Sequence, residues 1–411
     1  MTPGARLQAV IDILDEMERT AKPVERHLRE WGRTHRFAGS KDRAAIAARL
    51  YAIERRRAQL AWRMQSASPR ALAIAAVLEE GEVETLFSGT GYGPAALSDA
   101  ERACIASPQA GEMPAHVKGE YPEFLEDELR RAFGDRLPEE MLALQQRAPV
   151  DLRVNTLKAR RDAVIAALAA QGYDAQATAR SPLGIRLPAG VAGLERTALF
   201  ESGAFEFQDE AAQVASLMCE AAPGMRVLDL AAGAGGKSLA LAAAMRNAGE
   251  IVACDIRADA LAELERRAVR AGVGIIKTTQ NPPRPHECGG EGDSFFDIVL
   301  VDAPCSGTGT WRRQPELRWR LTPERLIELQ AIQDSLLAQA ATYVKPGGRL
   351  VYATCSILPC ENEDRIARLR ESHPQFAPAG DDFRASPLST GTDGFFAAVR
   401  TSGQAPPDPR P

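Results

Sequence analysis

The sequence predicts an α/β protein: a doubly wound, Rossmann-like parallel sheet preceded by a small α+β module and an N-terminal helical region. Three observations carry this. From Phe205 onward, short apolar runs alternate with helical periodicity. The stretch Val227 to Ser238 reads as strand, Gly-rich turn and helix start, an arrangement that lets backbone approach a nucleotide-like ligand closely. Ahead of Phe205 the pattern is helical at first and then mixed.

Taken in order, residues 1–80 show helical spacing without strand signals. Leu7, Val10, Ile11 and Leu14 share one face, and Ser40 can cap a helix that begins at Lys41 and carries Ile46, Leu50 and Ile53. Trp31, Phe37, Tyr51 and Trp62 are available to fill a small helical core, and Ala71–Leu78 is a further apolar helix. Residues 81–145 read as a connection holding one short helix, Asp99–Ala106, followed by helical turns from Tyr121 with a break at Gly134–Pro138. Residues 146–205 form the α+β module. Asp151–Leu157, Tyr173–Ala179 and Gly184–Leu187 are its strands and Asp162–Gln171 its helix, a βαβ-type unit.

The large domain is expected over residues 206–400. Its strands are Arg226–Leu230, Ile251–Asp255, Gly274–Thr278, Phe296–Asp302 and Arg349–Tyr352. Its helices are Glu210–Ala221, Ser238–Arg246, Ala258–Ala271 and Pro323–Val344. Pro282–Asp293 reads as a loop, and residues 401–411 as a disordered tail. The Gly-rich turn is not a phosphate-binding P-loop, because Ala231 stands where that motif needs its first glycine.

At 411 residues, with 45% hydrophobic and 26% charged residues, two or three globular domains are expected. Neither a membrane-spanning run nor a signal-peptide core is visible. Seven cysteines at irregular spacing argue for a reducing, cytoplasmic setting, and without zinc-ligand spacing no metal is expected. The net charge of −5 hides a segregation: residues 1–70 carry 15 Lys/Arg against 8 Asp/Glu, whereas residues 79–140 carry 5 against 15. A basic N-terminal region on an acidic chain suits a polyanionic partner. Arg153, Lys158, Arg160 and Arg161 add candidate phosphate contacts in the α+β module.

Ligands of open α/β sheets bind beyond the carboxyl ends of the strands. Asp255 ends the second strand, where an acid is placed for ribose hydroxyls. Two cysteines sit on the same edge. The strand ending at Asp302 runs into Ala303-Pro304-Cys305-Ser306-Gly307-Thr308-Gly309, and the strand ending at Tyr352 runs into Ala353-Thr354-Cys355-Ser356. If the two strands are neighbours, about 4.8 Å apart, both thiols face one substrate.

These residues resemble the Sun/Nop-type RNA cytosine-5 methyltransferases. The matching pieces are Phe207-Gln208-Asp209-Glu210, the loop Asp229–Ser238, the Asp302–Gly309 run, and Thr354-Cys355-Ser356 followed by Glu361-Asn362-Glu363. Leu152–Lys158 resembles the start of that family's RNA-binding module, Gly394-Phe395-Phe396 its last strand, and residues 1–80 more faintly its NusB-type helical domain.

The resemblance implies a class I methyltransferase domain with S-adenosylmethionine in the cleft. Ala231, Ala232, Gly233, Ala234, Gly235, Gly236 and Lys237 would form the loop around it, with Asp255 on the ribose and Asp302 alongside. It also implies that Cys355 attacks C6 of cytosine, that Cys305 assists product release, and that Asp302 meets N3 and N4. The partner would be RNA, ribosomal RNA first and transfer RNA as the alternative, for a monomeric enzyme with no membrane or metal partner. Two positions depart from the family. Ala231 and Ala234 replace Cys and Pro. Ile276-Lys277-Thr278-Thr279-Gln280 lacks the usual adenine-binding acid, which leaves Thr278, Gln280 or packing alone for that task. Two other readings compete: a DNA cytosine-5 methyltransferase, in which Cys305 would attack, and an RNA-binding ribosome-assembly factor with a decayed cofactor site.

Overall fold

The computed structural model describes residues 1–20, 22–107, 109–282 and 295–403. The expected loop Pro282–Asp293 with Cys288 lies almost wholly outside them, as does the tail from Gln404. The chain divides into two units: residues 1–146 with 311–322, and residues 147–310 with 323–411.

The first unit is helical. Helices Pro3–Arg19, Val24–Thr34, Ser40–Arg55, Arg57–Met64 and Pro69–Glu80 bury Leu7, Leu14, Ile46, Leu50, Leu72 and Ile74 in one core. Thr2 and Ser68 cap two of them, accepting from Ala5 N–H and Ala71 N–H. The third starts one residue earlier than expected, at Ser40. Gly39 is its N-cap, and the Asp42 carboxylate accepts the Gly39 N–H at 3.3 Å, so Asp42 takes over the capping expected of Ser40. The core is aliphatic, not aromatic: Trp31 and Tyr51 only pack against it, and Phe37 is 73% exposed. Residues 81–106 are more than a connection, since Leu86, Phe87 and Leu97 join the same core.

The segment 311–322 was not foreseen as part of this unit. Within it Trp311 and Arg318 are fully buried. Arg318 Nη2 donates to Leu144 O at 2.8 Å, its guanidinium lies 5.1 Å from the Trp311 ring, and Glu316 accepts the Val24 N–H. Hydrogen bonding makes the burial of such a charge tolerable. Burial still pulls the Arg318 pKa down to about 10.

The second unit contains two sheets. In the smaller, β1 (Val150–Val154), β2 (Gln176–Ala177), β3 (Gly184–Leu187) and β4 (Phe205–Phe207) run in the order β2-β3-β1-β4. Every pairing is antiparallel. The expected βαβ unit is therefore a split one: β1 and β2 run the same way, with β3 inserted between them. Strand β4, expected at the edge of the large domain, completes this small sheet.

The large sheet has the order β10-β12-β9-β8-β5-β6-β7, with β11 beside β12. Its strands are β5 (Arg226–Asp229), β6 (Glu250–Cys254), β7 (Ile276–Thr279), β8 (Phe296–Asp302), β9 (Val344–Thr354), β10 (Phe376–Pro378), β11 (Phe383–Ala385) and β12 (Phe395–Ser402). The run β9-β8-β5-β6-β7 is parallel, and β12 returns antiparallel to β9. Val227, Val299, Leu300 and Val351 are buried, as a sheet covered on both faces requires. Helices Gly236–Ala244, Ala258–Ala271 and Pro323–Ala341 connect the strands as expected. Among the described residues, no helix is long and apolar enough to cross a membrane.

Candidate active site

Because β8 lies between β5 and β9, the segments leaving their carboxyl ends converge on one cleft of about 700 Å³. Ala231, Ala232, Gly233, Ala234, Gly236, Lys237, Asp255, Asp302, Cys305 and Cys355 all line it. Gly235 does not. Its φ is +78° and an added Cβ would lie 1.9 Å from Leu264 Cδ1, so helix packing beneath the loop demands this glycine.

Asp255 follows β6 and is tied to the loop: Gly233 N–H donates to its Oδ2 at 2.8 Å, and Arg257 N–H to its Oδ1 at 2.9 Å. Burial pushes this carboxyl up, but hydrogen bonds from the Arg257 side chain and backbone and from Gly233 outweigh it and leave the pKa below its ordinary value. Asp255 is thus a charged acceptor that already shapes the loop. Asp229, at the end of β5, is fully buried. Ser238 Oγ donates to its Oδ2 at 2.6 Å, and burial raises its pKa to about 7.

Lys237, expected as part of the cofactor loop, turns its ammonium to Asp302 Oδ2 and lies 5.1 Å from the Phe395 ring. The acid expected to meet the base therefore carries its own counter-ion. Beside it, Cys305 Sγ and Cys355 Sγ are 3.4 Å apart. Adjacent strands bring them together, and the loops are locked by Gly309 N–H donating to Cys355 O and Gly394 N–H to Gly309 O, both at 2.9 Å. A Cβ on Gly309 would sit 2.0 Å from Gly394 O, so no larger residue fits there. The hydrogen bond with Cys355, burial, and the nearby charges of Cys355 and Glu361 hold the Cys305 thiol well above its ordinary pKa.

The cysteine loops rest on a buried hub that sequence reasoning did not assign. Glu361 accepts from Ser306 N–H, Ser306 Oγ, Ser356 Oγ and Gln333 Nε2, and its carbonyl accepts from Tyr352 OH. Asn362 accepts from Thr354 Oγ1 and donates to Ser356 O. The signal was available: Glu361-Asn362 directly follows the apolar run Ile357-Leu358-Pro359-Cys360, where an acid needs partners. Cys104, Cys219 and Cys254 do not line the cleft. Burial pushes Cys219 and Cys254 up to about 12, which makes them inert.

Neither side chain suggested for adenine lines the cleft. Thr278 donates to Glu265, and Gln280 to Ile256 O at 3.1 Å. Ile256, Ile332 and Leu336 do line it, which leaves an apolar wall. Three of the cations expected to contact phosphate are otherwise engaged. Arg153 is buried and donates to Gln208 Oε1 and to Gly236 O. Lys158 donates to Ser202 O and Arg270 O, and Arg161 to Ser181 O. Arg160 is exposed. Among the described residues, no His/Cys/Asp/Glu group is placed to hold a metal.

Comparison with known proteins agrees with this architecture. The family model for the 16S rRNA methyltransferase RsmB/F matches residues 216–399, and that for the RsmF/B-like ferredoxin-like domain matches residues 121–192. A probable ribosomal RNA small subunit methyltransferase B of Synechocystis is 33% identical over 65% of this chain and 58% of that protein. The ribosomal RNA small subunit methyltransferase B of Sodalis glossinidius is 34% identical over 74% of this chain and 68% of that protein. A crystal structure designated PH0851 covers 97% of this chain and 99% of its own at a TM-score of 0.79 and 26% identity. The chain thus spans under six tenths of the Synechocystis protein and about two thirds of the Sodalis one. With its cysteine-bearing sheet edge inside the matched region, the chain belongs to the RsmB/F methyltransferase family.

Proposed function

We propose that the chain is an S-adenosylmethionine-dependent RNA methyltransferase that forms 5-methylcytosine in small-subunit ribosomal RNA through a cysteine–C6 adduct. The names of the relatives supply the ribosomal substrate; transfer RNA is the alternative. The observation that carries the chemistry is the pair of sulfurs 3.4 Å apart on the wall of a nucleotide-sized cleft that also holds Asp302.

The residues present fit the cofactor. Backbone from Ala231 to Lys237 would surround it, the charged Asp255 would accept from the ribose hydroxyls, and Ile256, Ile332 and Leu336 would cover the adenine in place of an acid. S-adenosylmethionine supplies an electrophilic methyl group, toward which C5 of cytosine is by itself a poor nucleophile. Cys355 as thiolate adds to C6 and pushes electrons to C5, while Asp302 meets N3 and accepts from the N4 amino group, which holds the base in place. After C5 has gained its methyl group, the C5 proton must leave and the Cys355–C6 bond must break. Cys305, its sulfur 3.4 Å from that of Cys355, assists that release: in its thiolate form it takes the C5 proton, and the C–H electrons re-form the C5–C6 double bond and expel the Cys355 thiolate. The target base has to leave its stack to reach the cleft.

Two variants test this on a denaturing gel. Cys305→Ala attacks and methylates but stalls, so RNA-linked protein accumulates. Cys355→Ala and the double variant form none. Adduct with Cys355→Ala alone would assign the attack to Cys305, as in DNA-type enzymes; adduct with neither variant would remove the covalent mechanism.

A further inference from the structure

The first unit carries an open cleft of about 580 Å³ that the catalytic reading does not use. One wall is aromatic, and Ala5, Gln8, Ala9 and Asp12 of helix Pro3–Arg19 line the other. Trp31 and His35, at the end of helix Val24–Thr34, stack with centroids 4.4 Å apart and planes 7° from parallel, and Phe37 meets His35 edge-on at 5.7 Å. Tyr92 faces the same cleft from the turn 89–94, which is closed by Gly89 N–H donating to Pro94 O and Gly93 N–H to Thr90 O. Tyr92 is 89% exposed and Phe37 73%. Water-facing aromatic rings gathered on one cleft are costly unless something covers them.

The neighbouring surface says what covers them. A second groove, of about 520 Å³, is lined by Arg33, Arg36 and Arg43 together with Thr34 and Glu30, the last already paired with Lys22 and Arg26. Arg29, Arg33, Arg36 and Lys41 are all exposed, and none has an ion-pair partner among the described residues. This contrasts with Arg49, Arg56, Arg57 and Arg63 on later helices, each paired to a glutamate. Unpaired cations beside exposed rings are what single-stranded nucleic acid needs, phosphates for the first and base faces for the second. A protein helix seated in the cleft would leave the cations without a counterpart.

We propose that the cleft formed by Trp31, His35, Phe37 and Tyr92, with the Arg33/Arg36/Arg43 groove beside it, is a stacking site for unpaired bases of single-stranded RNA. It rests on the RNA-modifying reading above and adds a second, chemistry-free contact point for the same substrate class.

The test is a fluorescence-anisotropy titration of the full-length protein without cofactor. A mixed-sequence single-stranded oligoribonucleotide is compared with duplex RNA of the same length at several salt concentrations. The Phe37→Ala/Tyr92→Ala double variant is expected to bind the single strand about tenfold more weakly or worse, with an unchanged salt slope and unchanged duplex binding. Phe37→Trp/Tyr92→Phe should retain the wild-type affinity. Arg33→Ala/Arg36→Ala is expected to reduce the salt slope by about two. Wild-type single-strand affinity in the double alanine variant, or an equal loss on duplex, overturns the proposal. The titration involves no methyl transfer, so it fails or succeeds separately from the cysteine experiment.

Discussion

Two regions of this chain look alike in sequence and have opposite uses for their positive charge. The stretch 29–43 and the stretch 153–161 are both rich in Arg and Lys beside helix and strand ends. In the first, Arg29, Arg33, Arg36 and Lys41 reach into water. In the second, Arg153 is buried against the Gly-rich loop at Gly236 O, and Lys158 and Arg161 donate to backbone carbonyls. A buried cation bound to carbonyl oxygens, as Arg153 is, serves the fold, since its burial is offset by those bonds. A basic cluster in a sequence therefore says that charge is present, and only its hydrogen-bond partners say whether that charge is free for phosphate.

Substitutions sharpen this contrast. Arg153→Met should have the largest effect, a loss of about 2–3 kcal/mol in unfolding free energy, because Gln208 Oε1 and Gly236 O lose their donor. A urea melt reads this, and an unchanged midpoint would mean that the guanidinium contributes nothing there. The same variant should weaken S-adenosylmethionine binding in calorimetry, since Arg153 holds Gly236 O at 2.6 Å on the loop. Lys158→Ala should cost less, about 1 kcal/mol, because its two carbonyl bonds form at an exposed position. It should leave the salt slope of RNA binding as in the wild type; a slope reduced by about one would return Lys158 to the phosphate-contacting class. Arg160→Ala should have the smallest effect on stability, within about 0.5 kcal/mol. If the exposed Arg160 meets RNA, the substitution lowers affinity without moving the melt.

The large sheet was legible because its signals are local and redundant. Phe296–Asp302 and Ala258–Ala271 fall where the apolar runs and helical spacing put them. The neighbouring cysteine loops followed from the two strands that carry them. What sequence could not reveal was where polar side chains find partners. Glu361 reads as one acid among 55 Asp/Glu, yet it ties both cysteine loops together. Phe37 reads as core and is exposed, because it lies in the turn between two helices while aliphatic Ile46, Leu50 and Ile53 fill the core. Strands β10 and β11, three residues each, are too short to show a period.

The segment 311–322 also sets an order of events during synthesis. The helical unit is encoded first, but Trp311 and Arg318, which fill it, are translated after the whole small sheet and most of the parallel strands. Domains generally fold as units, the N-terminal one first, as the chain emerges. Here the aliphatic core of the helical unit, Leu7 to Leu97, is encoded early, whereas the bonds of Arg318 to Arg55 O and Leu144 O form only after residue 318 has emerged. Its last packing step belongs to the late phase of translation, and a fragment ending at residue 146 lacks the piece that completes it.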